Sequence, residues 1–135
     1  MLVYAFYVEA PAHERYRDWL RLAVESPEPV ALSDLVLSAF VRITTNPRVI
    51  SPPIPLAAAL AFANTLRSSS GAVTVAPGDR HWAIFERLCL DAGARGNLVT
   101  DAYLAALAIE SGSELITTDR DFARFPGLRW RHPLA

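Results

Sequence analysis

The sequence predicts an α/β fold in which a short, mostly parallel sheet is flanked by helices. Segments with helical periodicity alternate with short apolar runs, an order that is typical of parallel sheets. The chain has 135 residues, which suits a single domain with its own core, so we predict one domain over residues 1–135. The sequence contains no internal repeat and no low-complexity segment.

The first half of the chain contains three predicted helices. Apolar residues recur at helical spacing over residues 11–24, while charged residues cover the opposite face. Ser33 is a good N-cap for a second helix over residues 34–44, which directly follows the apolar run at 30–32. Pro55 suits the first turn of a third helix that extends to about residue 67.

The second half of the chain contains two further predicted helices. Asp79 is expected to cap a helix that ends near Asp91, and Thr100 is expected to cap an alanine-rich helix over residues 101–110. Between and after these helices, predicted strands lie over residues 72–75, 114–118 and 128–131. The alternation of helices and strands therefore continues to the end of the chain.

The composition excludes a general attraction to polyanions. Because 13 basic and 14 acidic residues give a formal net charge of −1, any nucleic-acid site has to be local. All of the basic residues are arginines, which codon bias explains as well as phosphate recognition does. Cys89 is the one cysteine and forms no internal disulfide, which suits a reducing cytoplasm. Residues 1–8 are apolar but too few to span a membrane.

One local pattern occurs three times: an apolar run ends in a hydroxyl residue, and an aspartate follows. The aspartates are Asp34, Asp101 and Asp119, and Asp121 comes shortly after the last. Ligand sites of parallel sheets gather at the carboxyl ends of strands, so we predict that Asp34, Asp101 and Asp119 cluster in one cleft. Clustered carboxylates need a neutralising cation, and their oxygens suit Mg²⁺ or Mn²⁺. Such ions support phosphodiester hydrolysis.

Each aspartate also has a purely structural interpretation. The macrodipole favours an acidic residue in the first turn of a helix, which would explain Asp34 and Asp101 taken singly. Asp119 and Asp121 are equally compatible with turn and cap positions. The three histidines show no spacing typical of a metal site or a catalytic triad. The pattern alone therefore leaves a metal-dependent nuclease and a structural α/β domain both open.

Four stretches of the chain resemble the VapC branch of the PIN-domain family. They are MLVYAF at residues 1–6, the segment from LSDLVL to RITTNPRV at 32–49, NLVTDAYLAALA at 97–108, and TTDRDF with FPGLRW within 117–130. The third and fourth stretches are the most specific, and together the four cover nearly the whole chain. The resemblance implies the fold of that family and makes residues 2–7 a short helix, where the apolar pattern alone suggests a strand.

The resemblance implies a Mg²⁺- or Mn²⁺-dependent endoribonuclease that is the toxin of a toxin–antitoxin pair. Such a protein cleaves RNA, forms a homodimer and is held inactive by a cognate antitoxin. Asp34, Asp101 and Asp119 would be the catalytic residues, and Asp121 would join them at the metal. The alternative is a catalytically impaired PIN-like protein that acts by binding the antitoxin or by dimerising.

Further residues take supporting roles by the same resemblance. Thr117 and Thr118 would contribute a hydroxyl group to the site. Four arginines lie close to the last acidic positions in sequence and are candidates for contacts with the RNA backbone, although a solvated face explains them equally well: Arg120, Arg124, Arg129 and Arg131.

The chain departs from the family's pattern in two respects. The family usually carries a glutamate where Asp34 stands, and an aspartate side chain reaches less far. The family's first acid lies on a strand that precedes the position of Met1, so the chain is interpreted as N-terminally truncated relative to the family. A truncated gene product and a start codon assigned too late are both compatible with this interpretation.

Overall fold

The computed structural model describes all 135 residues, which form six α-helices, four short β-strands and one 3₁₀ helix. The chain divides into two compact units, residues 1–75 with Leu134 and residues 76–133 with Ala135. Each unit contains one two-stranded sheet, and both strand pairs are parallel. The α/β class is therefore confirmed, with the strands divided between two sheets. No helix has the length and apolar character needed to cross a membrane.

The first unit consists of four helices and two strands. In chain order they are α1 (Leu2–Phe6), α2 (His13–Glu25), β1 (Val30–Leu32), α3 (Asp34–Thr44), α4 (Leu56–Arg67) and β2 (Ala72–Thr74). Strand β1 pairs with β2 so that Val30 lies opposite Ala72 and Leu32 opposite Thr74. The helix implied for the start of the chain is confirmed, as are the helices predicted from periodicity.

The core of the first unit is built from the apolar faces of its helices. Helix α2 is amphipathic and buries Tyr16 and Leu20, while α1 buries Ala5. Three phenylalanine rings pack edge to face or tilted, with centroids 4.8–5.3 Å apart: Phe6, Phe40 and Phe62. These contacts hold α1, α3 and α4 together.

The second unit contains two helices, a 3₁₀ helix and two strands. In chain order they are α5 (His81–Ala92), α6 (Asn97–Ser111), β3 (Leu115–Ile116), the 3₁₀ helix (Arg120–Arg124) and β4 (Trp130–Arg131). Alanines at 102, 105 and 106 are fully buried in its core beside Leu88, Phe122 and Phe125. Small side chains allow the backbones of packed helices to approach closely, which explains the alanine-rich sequence of α6.

Two predicted helix caps are wrong. Helix α6 begins at Asn97 after Gly96, so Thr100 is not its cap and Asp101 lies in the second turn rather than the first. Gly96 has a φ of 62°, which only glycine adopts readily and which starts the helix one turn early. Helix α5 begins after Arg80 without a side-chain cap, so Asp79 is not a cap either. Both strands of the second sheet are also shorter than predicted.

Candidate functional site

Asp101 on α6 lies within electrostatic range of two carboxylates from a distant stretch of the chain. Its side chain is half-buried, whereas Asp119 and Asp121 are exposed. Burial raises the pKa of Asp101, and the negative charges of Asp119 and Asp121 raise it further. The fold of the second unit therefore brings the third and fourth acidic stretches of the sequence together, and a nearby cation would relieve their mutual repulsion.

The loop after β3 holds Asp119 in a defined conformation. The Oδ1 atom of Asp119 accepts a hydrogen bond of 2.9 Å from the backbone N–H of Asp121 and so caps the 3₁₀ helix. The hydroxyl oxygen of Thr117 accepts one of 3.1 Å from the backbone N–H of Asp119. Phe122 is buried and anchors the 3₁₀ helix in the core. Thr117 thus shapes the loop, and Thr118 beside it is half-buried.

Two unpaired arginines flank these carboxylates in sequence. Arg120 and Arg124 are exposed at the two ends of the 3₁₀ helix, and neither forms an ion pair within the chain. By contrast, Arg131 pairs with Glu114 at 2.8 Å, and Arg129 donates to the backbone oxygen of Gly112 at 2.9 Å. Of these four arginines, Arg120 and Arg124 are the two whose charge is available to a ligand.

Asp34 is the first residue of α3 and belongs to the first unit. Its carboxylate is bound by the guanidinium of Arg67 at the end of α4, with Nε 2.9 Å from Oδ1 and Nη2 3.3 Å from Oδ2. Sequence reasoning missed Arg67, because a contact across 33 positions leaves no local signal. The clustering of Asp34 with Asp101 and Asp119 stays a prediction.

The chemical type of the possible ligand atoms determines which cations fit the acidic residues of the second unit. Nowhere in the chain do three or more His, Cys, Asp or Glu side chains come close enough to form a metal-binding group. The side chains that do come into electrostatic range carry carboxylate oxygens, and these hard ligands are the ones that Mg²⁺ and Mn²⁺ prefer. The chemistry of the residues therefore fits a divalent cation of this type.

Comparison with known proteins gives consistent matches over nearly the whole chain. The PIN domain matches residues 1–128. Ribonuclease VapC43 of Mycobacterium tuberculosis is 41% identical over 134 residues, which cover 99% of this chain and 91% of that protein. Ribonuclease VapC37 of the same organism is 36% identical over 135 residues, covering 100% of this chain and 94% of that protein.

A solved structure shares the fold. The crystal structure of VapBC2 from Rickettsia felis bound to a DNA fragment from their promoter contains a chain that matches with a TM-score of 0.70 and 19% sequence identity. The match covers 96% of this chain and 91% of that chain. At this identity the likeness is one of fold, and it agrees with the α/β architecture described above.

Proposed function

Because this chain belongs to the PIN-domain family, we propose that it is a metal-dependent endoribonuclease, the toxin of a toxin–antitoxin pair, with Mg²⁺ as its preferred ion. The proximity of Asp101 to the charges of Asp119 and Asp121 supports this proposal most directly. The proposal treats the two units as one PIN domain, since the family match runs from residue 1 to residue 128.

In the proposed mechanism, the carboxylates of Asp101 and Asp119 would hold the cation, and Asp121 would add negative charge beside them. When bound, a divalent cation would supply the Lewis acidity that lowers the pKa of a water toward neutrality and makes it a nucleophile for the phosphodiester. Thr117 keeps Asp119 in place through the hydrogen bond to its backbone N–H. Asp34 is proposed as a third acidic residue of the same site.

RNA would be held by positive charge next to the acidic residues. Arg120 and Arg124 have no carboxylate partner in the chain, so each is able to bind a phosphate without breaking an ion pair. Arginine also suits this role because its planar fork binds two phosphate oxygens at once.

The direct test is RNA cleavage by the purified protein with Mg²⁺, with EDTA, and with Mg²⁺ restored after EDTA. We expect cleavage only when the metal is present. Asp101→Asn and Asp119→Asn should each lower the rate by about 10²-fold or more, the effect typical of misplaced catalytic groups. Asp91→Asn is the matched control, because Asp91 is exposed on α5 and is no part of the site. Cleavage that persists in EDTA would refute the proposal.

The proposed partner is a cognate antitoxin. An acidic group without a counter-ion invites a charge-assisted contact, so the antitoxin is proposed to insert an arginine between the carboxylates. The test is co-expression with the neighbouring small open reading frame, followed by affinity capture of the toxin. A complex that dissociates at high salt is expected, because charge pairs at an interface are screened. Recovery of the toxin alone would contradict this assignment.

The protein is further proposed to act in the cytoplasm as a homodimer. Its lone cysteine, Cys89, forms no disulfide, which suits a reducing compartment. Helix α5 exposes Trp82 and Leu90, which are 66% and 75% accessible, and these apolar side chains are the proposed dimer contacts on this helix. Light scattering coupled to size-exclusion chromatography should give twice the mass of the chain.

A second candidate function is a catalytically impaired protein that binds the antitoxin or dimerises. The observation in its favour is that both carboxylate oxygens of Asp34 are already bound by Arg67. The cleavage assay separates the two functions, because the binding protein would capture antitoxin without cleaving RNA in Mg²⁺.

A further inference from the structure

The ion pair between Arg67 and Asp34 joins the start of α3 to the end of α4, and neither helix needs it as a cap. Ser33 caps α3 by accepting a hydrogen bond of 3.2 Å from the backbone N–H of Leu35, so the carboxylate of Asp34 is not used as a cap. At the end of α4, the hydroxyl of Ser68 donates to the backbone oxygen of Asn64 at 2.8 Å. Each of these helix ends therefore has a side-chain cap that does not involve Arg67.

The geometry of the pair occupies both oxygens of the carboxylate. Nε of Arg67 lies 2.9 Å from Oδ1 and Nη2 lies 3.3 Å from Oδ2, which is the two-point arrangement that arginine forms with carboxylates. The side chains remain open to water, since Arg67 is 45% exposed and Asp34 is 65% exposed. An exposed pair of this kind is weak and is readily separated.

We propose that Arg67 is an internal counter-ion of Asp34, and that a divalent cation has to displace it in order to use Asp34 as a ligand. The inference rests on the proposed function, in which Asp34 belongs to the metal site. A guanidinium bound to both oxygens blocks their approach to a metal, and its positive charge repels a dication. Arg67 thus lowers the affinity for the cation and keeps the carboxylate neutralised until the cation binds.

The experiment measures Mn²⁺ affinity directly by titration calorimetry on the full chain, with no RNA present. Arg67→Gln removes the competing charge and should tighten Mn²⁺ binding about three- to ten-fold, as expected for loss of a weak exposed pair and of one nearby like charge. Arg67→Lys keeps the charge but loses the two-point contact, so its Mn²⁺ affinity should fall between those of wild type and Arg67→Gln. Thermal unfolding of each variant verifies that it is folded.

The chain provides a matched control in the same unit. Arg17 binds Asp18 through Nε at 3.3 Å and Nη2 at 3.2 Å, with both side chains about half exposed. Arg17→Gln therefore removes the same charge and a similar contact, and it should leave Mn²⁺ affinity unchanged. An equal gain in Mn²⁺ affinity in both glutamine variants would show that the effect comes from the change in net charge alone, and it would overturn the proposal.

The other outcomes separate this inference from the proposed function. Asp34→Asn should weaken Mn²⁺ binding, and if it does not, Asp34 is no ligand and the inference fails while the nuclease assignment stands. Unchanged or weaker binding in Arg67→Gln, together with a lower melting temperature, would show that Arg67 only joins α3 to α4. A wild-type chain that binds no Mn²⁺ at all would overturn the metal-dependent function itself.

Discussion

The side-chain carboxylate of Glu110, near the end of α6, accepts a hydrogen bond of 2.7 Å from the backbone N–H of Gly78. The same carboxylate accepts one of 2.9 Å from the backbone N–H of Arg80, so it satisfies donors in the turn before α5. The pKa of Glu110 is lowered most by the Gly78 N–H; burial opposes this to a lesser extent, and the Arg80 N–H and the charges of His81 and Arg80 lower the pKa further. A charged acceptor at this position stabilises the turn.

We predict that Glu110→Gln lowers the melting temperature by a few degrees at neutral pH. A lowered folded-state pKa means that the contribution of Glu110 is complete above the ordinary glutamate value of 4.5 and is lost as pH falls through the lower folded value. The difference between wild type and variant should therefore shrink as the pH is lowered below 4.5. Thermal unfolding across acidic pH tests this, and a difference that grows toward acid would contradict it.

A second prediction concerns the space that Gly78 leaves for this carboxylate. A Cβ atom added at Gly78 would lie 2.8 Å from Oε2 of Glu110, closer than non-bonded atoms tolerate. Gly78→Ala should cost up to about 1 kcal/mol in unfolding free energy, because the carboxylate of Glu110 has to shift and weaken its hydrogen bonds to the turn. In a Glu110→Ala background the obstructing side chain is absent, so Gly78→Ala should lower the unfolding free energy much less. Additive effects in this double-mutant cycle would show that the two side chains do not interfere.

A third prediction concerns Asp101, whose pKa is raised by burial and by neighbouring carboxylates. A raised folded-state pKa means that this residue disfavours the folded state increasingly as pH rises through it. Without divalent metal, Asp101→Asn should therefore be slightly more stable than wild type at pH 7, by less than about 1 kcal/mol because the group is partly solvated. The two proteins should have equal stability at strongly acidic pH, where the carboxyl is protonated.

Added Mn²⁺ should reverse the order of stability in this pair. A ligand that binds the folded state raises its stability by mass action, and under the proposed assignment the asparagine variant lacks one of the ligands. Thermal unfolding with and without Mn²⁺ measures both effects in one experiment. Equal stabilisation of the two proteins by Mn²⁺ would show that Asp101 does not hold the ion.

The fourth prediction concerns the unpaired arginines of the 3₁₀ helix. Each phosphate contact contributes about 0.7 to 0.9 to the slope of log affinity against log salt, so Arg120→Gln and Arg124→Gln should each lower that slope by about this amount. RNA binding is measured in EDTA to prevent cleavage. Arg131→Gln is the control, because Arg131 already pairs with Glu114. An equal reduction of the slope in Arg131→Gln would show that Arg120 and Arg124 make no specific contact with RNA.

Local patterns predicted the helices well, because each has an amphipathic or strongly apolar sequence and a recognisable start. The type and position of Ser33 alone predict that it is a cap, and the structure confirms this prediction. The predicted start of α6 lies too late in the chain, since a hydroxyl residue before an aspartate resembles a cap whether or not the helix has already begun. Gly96 supplies the actual start through its backbone conformation.

The start of the chain shows where local patterns fail. Residues 2–6 form a helix, although an uninterrupted apolar run of this length suits a buried strand equally well. The resemblance to the PIN-domain family predicted the helix because it supplied a position within a whole fold. Contacts between distant positions, such as Arg67 with Asp34 and Glu110 with Gly78, left no signal in the sequence.

The cap at Asp119 has a consequence for the choice between calcium and magnesium. Its Oδ1 atom is held by the backbone N–H of Asp121, so a cation that approaches Asp119 meets Oδ2 as the oxygen without a hydrogen bond to the chain. Chelation by both oxygens, which large and flexible Ca²⁺ spheres often use, would compete with that hydrogen bond. Single-oxygen ligation suits the compact octahedral shell of Mg²⁺. If Asp119 is a metal ligand as proposed, the turn that shapes the loop would therefore also favour the smaller ion.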